Sequence, residues 1–121
     1  MKRRLFSMAL AALVLLALCS CAAVQKIKPW GERTPAEKSL SILQTYNRLY
    51  AETKDQAEKM VLAPSAYSQA QKDVVNGKRA ALIELKPLVG VYLSTVINGG
   101  VPDPQTEQKI VDLIRKLGGN L

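Results

Sequence analysis

Two thiols stand one residue apart in this chain, Cys19 and Cys21, and they are its only cysteines. A thiolate can accept an acyl group, close a disulfide, ligate a metal or attack a carbonyl, so the neighbours must decide among these. Histidine is absent from all 121 residues. That removes Ser-His-Asp and Cys-His catalysis, His-containing zinc sites and His-ligated haem. Carboxylate pairs remain among the 10 acidic residues, but no nucleophile–base pair and no metal set can be assembled from them. The expectation is a protein without catalytic residues, cofactor or metal.

Other residues carry weaker signals. Tyr46, Tyr50, Tyr67 and Tyr92 could form a ligand surface, but Tyr46 and Tyr50 fall on an apolar helical stripe and read as core or rim packing. Lys26 and Lys28 could meet lipid headgroups, although two charges fall short of the roughly four to eight that mark lipid recognition. Glu84 lies in an apolar stretch where a buried acid would be functional. Helical geometry turns it away from Leu82 and Leu85, so a solvated position is expected. Gly99-Gly100 is not a phosphate loop, because no Lys-Ser/Thr pair follows it.

The segment before the thiols decides their chemistry. Lys2, Arg3 and Arg4 precede an uncharged run from Leu5 to Leu18, 14 residues long. A spanning helix needs roughly 20 apolar residues. A basic start, an apolar stretch of this length and a small residue before a cut site describe a secretory signal; the alternative is an uncleaved membrane anchor. The end of the run, Leu18-Cys19-Ser20-Cys21, resembles the lipobox of bacterial lipoproteins, with Leu at −3, Ser at −1 and Cys21 as the modified residue. The other frame, Leu16-Ala17-Leu18-Cys19, puts a bulky Leu at −1, so Cys21 is the lipidation site and Cys19 leaves with the signal. The resemblance covers about the first 21 residues and implies a diacylglycerol on the Cys21 sulfur, usually with a third acyl chain on its amine. One acyl chain binds a membrane marginally, and two or more hold firmly. By the same resemblance, Ala22 is not the Asp that retains such proteins in an inner membrane. The location implied is an outer membrane, with the polypeptide facing the periplasm.

Removing residues 1–20 leaves 101 residues, takes three of the 17 basic residues and none of the acidic ones, and lowers the formal charge from +7 to +4. The pI of about 9.6 therefore belongs partly to the signal. Nucleic-acid binding, which such a pI would suggest, finds no aromatic–basic cluster here. With Cys21 acylated, no internal disulfide can form.

Residues 21–33 contain Pro29 and Gly31 and show no period; they read as a tether. Trp30, the single tryptophan, suits either the membrane interface or packing on the body that follows. That body, residues 34–121, reads as three helices. The first opens at Thr34-Pro35-Ala36-Glu37 with the elements of a capping box and an N1 proline. Its stripe runs through Leu43, Tyr46, Tyr50, Thr53, Ala57 and Met60, widened by Leu40 and Leu49. Ala63-Pro64 ends it. The second opens at a box formed by Ser68 and Gln71, with Ser65 as an alternative start, and its stripe is Val75, Leu82, Leu85, Val89, Tyr92 and Val96. Pro87 interrupts the sequence but not the register, so one helix kinked at Pro87 is expected in place of two. Asn98-Gly99-Gly100 stops it. Asp103-Pro104 opens the third, whose face is Ile110, Leu113, Ile114 and Leu117 and whose stop is Gly118-Gly119. No strand alternation is visible. The fold expected is all-α, an up-down-up three-helix bundle.

The function expected is that of a non-enzymatic, lipid-anchored envelope lipoprotein, held to the membrane through Cys21 and binding a protein partner, with no nucleic-acid role. Self-association is open to it through the long seam of the first helix. The alternative is a lysis lipoprotein resembling the outer-membrane spanins of phages, although the commonest of those are shorter and proline-rich. A murein tether resembling the major murein lipoprotein would end in lysine, whereas this sequence ends in Leu121.

Overall fold

The computed structural model describes residues 28–121. Cys21, with the segment read as a signal and most of that read as a tether, lies outside the described residues. The chain divides into two units, Met1–Glu32 and Arg33–Leu121. The described part of the first holds one 3₁₀ turn, Trp30–Glu32, in which the Glu32 amide donates to the Pro29 carbonyl over 2.9 Å. Trp30 is half-buried.

The second unit is all-α: α1 (Pro35–Leu62), α2 (Gln69–Ile97) and α3 (Pro104–Lys116), with no strand among the described residues. The helices start and stop where the local chemistry requires. The Thr34 hydroxyl accepts from the Glu37 amide at 3.2 Å. The Glu37 carboxylate accepts from that same hydroxyl rather than from the Thr34 amide, so only half of the expected box forms. At Ser68 the box is complete: the Gln71 amide donates to the Ser68 hydroxyl, and the Ser68 amide donates to the Gln71 side chain. Ser65 lies in a short 3₁₀ turn between the helices. Asp103 occupies the N-cap of α3 but does not cap it; its carboxylate accepts from the Thr106 hydroxyl instead.

Both later helices end in the same way. Gly99 and Gly118 take φ of +78° and +82°, a left-handed conformation that costs glycine little. The Gly99 and Gly118 amides reach back to Val96 and Arg115, and those of Gly100 and Gly119 to Thr95 and Ile114. This paired return, a Schellman motif, satisfies carbonyls that the helix ends leave open.

Pro87 sits inside α2, which runs through it unbroken. Pro87 and Ile83 are both exposed, so the Ile83 carbonyl that loses its amide partner can turn to water. By length and composition α2 would suffice to cross a bilayer. Its inward line instead carries the core: Val75, Ala81, Leu82, Leu85, Val89 and Tyr92 are buried, and α1 and α3 both pack on it. All four expected α3 residues, Ile110, Leu113, Ile114 and Leu117, are buried.

The α1 stripe is rotated from the sequence expectation. Its buried residues are Ser39, Ile42, Leu49 and Thr53, while Leu40, Leu43 and Tyr50 are exposed. Ile42, one position around the helix from the expected Leu43, takes the inward place. Ser39 is tolerated inside because its hydroxyl donates to the Pro35 carbonyl at 2.8 Å.

Candidate binding groove

Two antiparallel helices lying side by side leave a trough on each face of the pair. On α1, Lys38 and Leu49 fall to one side of the line through Ile42 and Thr53; Tyr46, Tyr50, Ala57 and Val61 fall to the other, at 3.6 residues per turn. The first side belongs to α3. Lys38 Nζ meets both Glu107 oxygens at 3.1 Å. The Tyr92 hydroxyl donates to Glu107 Oε1 at 2.9 Å, and a Cβ on Gly119 would stand 3.1 Å from Leu49 Cδ1. One side chain from each of the other two helices thus converges on the Glu107 carboxylate.

Burial and the neighbouring carboxylate raise the Tyr92 pKa well above the ordinary phenol range, with burial the larger cause. The phenol therefore stays a neutral donor at any physiological pH. A carboxylate held by a lysine and a tyrosine could in other surroundings be a general base. Here its oxygens are taken up by structural partners, and the group ties three helices together.

The second trough is open. Its floor is Thr53, Ala57 and Leu82, its walls are Tyr46 and Tyr50 on one side and Ile83 on the other, and Val61 and Leu62 line its far end. The space amounts to about 740 Å³, within the range of roughly 300–1,000 Å³ typical of binding clefts. Tyr46 and Tyr50 stack with ring centroids 6.2 Å apart. Burial, and secondarily Tyr50, raises the Tyr46 pKa, so that ring offers no phenolate nucleophile. Four ionic groups edge the groove. Lys54 and Glu58 sit 4.0 Å apart on the α1 edge. Arg79 and Lys86 stand on the α2 edge and have no ion-pair partner among the described residues. A smaller groove of about 380 Å³, lined by Lys59, Tyr67, Val74 and Lys78 among others, occupies the α3 face near the α1–α2 turn.

The residues singled out in the sequence thus part company. Tyr46 and Tyr50 come together on the open groove, Tyr67 lines the smaller one, and Tyr92 is core. Glu84 is solvated as expected and pairs with Lys109 at 3.3 Å. Gly99-Gly100 is a helix stop. Lys26 and Cys21 lie outside the described residues. Lys38 and Glu107, which the sequence reading missed, are separated by 69 positions, and the one local signal was the need of a buried Tyr92 for a hydrogen-bond partner. Among the described residues no group of three or more His, Cys, Asp or Glu could hold a metal ion. What the groove can do is bind an apolar surface and orient it by charge. Compared with protein-family models, curated proteins and solved structures, the chain matches none.

Proposed function

We propose that this protein is a non-enzymatic lipoprotein of the bacterial envelope, anchored through lipid on Cys21, whose helical body is an interaction module at the membrane surface. The observation that carries the anchor is the order of three independent features: the Lys2-Arg3-Arg4 start, the 14-residue apolar run, and Leu18-Cys19-Ser20-Cys21. The observation that favours an interaction module is the open groove, which offers apolar and aromatic surface beside unpaired cations and brings together no reactive pair. The surface of α2 and of the turn that follows it adds to this. From Pro87 to Pro102 the chain carries no charge, and Val91, Ile97 and Val101 are largely exposed, as at a site that meets a partner or an apolar phase.

The test is metabolic labelling with a palmitate analogue, followed by mass spectrometry of the N-terminal peptide. The expected mature chain begins at an acylated Cys21. Cys21→Ala abolishes labelling, and Cys19→Ala leaves it intact. Label on Cys19, label that survives Cys21→Ala, or a mature chain beginning at Met1 would overturn the anchor.

A further inference from the structure

We infer that the open groove receives the apolar face of an amphipathic helix from a partner protein, a helix whose acidic edge meets Arg79 and Lys86. This deepens the interaction-module reading and rests on it.

The molecule already contains the arrangement once. On the opposite face of the same α1–α2 pair, α3 lies in the trough and brings a carboxylate, Glu107, to a lysine on its edge, Lys38. The open trough repeats both halves of that arrangement, an apolar channel between antiparallel helices and cations on an edge, with no occupant among the described residues. Its shape suits a rod, since helix pairs seat a third helix in the channel between them at interaxial distances of about 8–10 Å. The contact surface is presented to solvent: Ile83, Val61 and Leu62 are 75%, 79% and 84% exposed and the Tyr50 ring is half exposed. Tyrosine and arginine are the residue types that anchor interfaces most strongly.

Charge decides the kind of helix. Lys54 and Glu58 on the α1 edge pair with each other, which leaves Arg79 and Lys86 to set the sign. They lie seven residues apart, two turns and roughly 10.5 Å along α2. Carboxylates seven apart on a partner helix reproduce that spacing. A second copy of this chain is a poor occupant, because a symmetric pairing places the same cationic edge on both partners. A bilayer is a poor one because it presents a broad surface to a narrow channel.

The experiment uses the mature full chain in nanodiscs of zwitterionic lipid, with empty nanodiscs as blank. The probe is a fluorescent peptide of about four helical turns, with a leucine face and two glutamates seven apart; a twin peptide carries lysines in their place. Anisotropy titration is expected to show the acidic peptide binding and the basic twin at least about tenfold weaker. Arg79→Glu with Lys86→Glu should reverse that preference, so the basic twin binds and the acidic peptide is lost. The reversal cannot arise from a chain that failed to fold. Ile83→Ser should weaken both peptides. No binding, binding indifferent to the charge reversal, binding by empty nanodiscs alone, or a groove closed by a second copy in mass photometry would each overturn the proposal. Acylation is read separately from the N-terminal peptide. If Cys21 carries no lipid, the same titration is run on the chain in solution, so a failed anchor and a failed groove give different signals.

Discussion

The two faces of the α1–α2 pair are built from the same helices and differ in what lies on them. Under α3, Ile42, Leu85, Tyr92, Ile110 and Ile114 are all at most 1% exposed, and a lysine, a tyrosine and a glutamate close the polar remainder. Toward the α1–α2 turn burial fails: no residue from Lys54 to Leu62 or from Gln69 to Val74 is buried. At 1.5 Å per residue α1 runs about 42 Å and α3 about 20 Å, so α3 can cover only part of the pair. The lesson is that helix length and core length are separate quantities. The first two helices extend well beyond the third that stabilises them, and the surplus adds no buried residue from Lys54 to Leu62 or from Gln69 to Val74.

That division is most easily broken at α3. Ile114→Ala, at a residue with no exposure, should cost about 2–5 kcal/mol. At about 4–8 °C per kcal/mol for a domain of this size, thermal denaturation followed by circular dichroism would register a large drop. Ile83→Ser on the open face should lose little in the same assay. Equal losses would mean that the open face is core.

Pro87 sharpens the comparison from the other side, because it lies exposed inside a continuous α2. Pro87→Ala should raise stability, by up to about 3 kcal/mol, through removal of the interior proline penalty. A lowered melting temperature would show that the proline shapes α2 for α3.

The carboxylate shared by three helices should have the next largest effect. Glu107→Gln removes the negative charge that Lys38 Nζ meets at 3.1 Å in a half-buried place and should cost about 1–3 kcal/mol. Tyr92→Phe has a signature in pH. Its phenol pKa is raised in the folded chain above the ordinary 10.0, so the fold holds that proton more tightly than the unfolded chain does. The contribution is complete below pH 10 and is lost as pH rises toward the folded value. The stability difference between wild type and Tyr92→Phe should therefore be constant through neutral pH and shrink in alkali; a difference that grows in alkali would refute the assignment.

How much of this was legible in sequence follows the range of the interactions. Helix ends at Thr34, Ser68, Gly99 and Gly118 are set by contacts between residues three to five positions apart, and each is placed by local residue types alone. The continuity of α2 through Pro87 was legible because the apolar register does not slip there. The α1 stripe was misjudged by one step, since Leu43 and Ile42 are equally apolar and only the position of α3 chooses between them. The groove was half visible. The spacing of Tyr46, Tyr50 and Ala57 puts them on one face, and core or rim packing for the two tyrosines leaves open whether another part of the chain covers them. The reach of α3 answers that question, and it depends on pairings across dozens of residues, such as Lys38 with Glu107.

The smallest expected effect on stability is also the one that best separates the two faces. Val61 and Leu62 end α1 with 79% and 84% of their surface exposed, so replacing each with serine removes almost no buried area. Exposed substitutions away from caps and strained positions usually stay within about 0.5 kcal/mol of neutral. Valine to serine also leaves helix propensity nearly unchanged, as the two lie close together on that scale. Val61→Ser with Leu62→Ser should thus leave the denaturation midpoint where it was. These residues line the far end of the groove, so the same double substitution should weaken the acidic peptide severalfold. A loss of stability comparable to that of Ile114→Ala would mean that the α1–α2 turn region holds the fold together. Unchanged stability with unchanged peptide binding would confine the groove to the stretch between Tyr46 and Ala57.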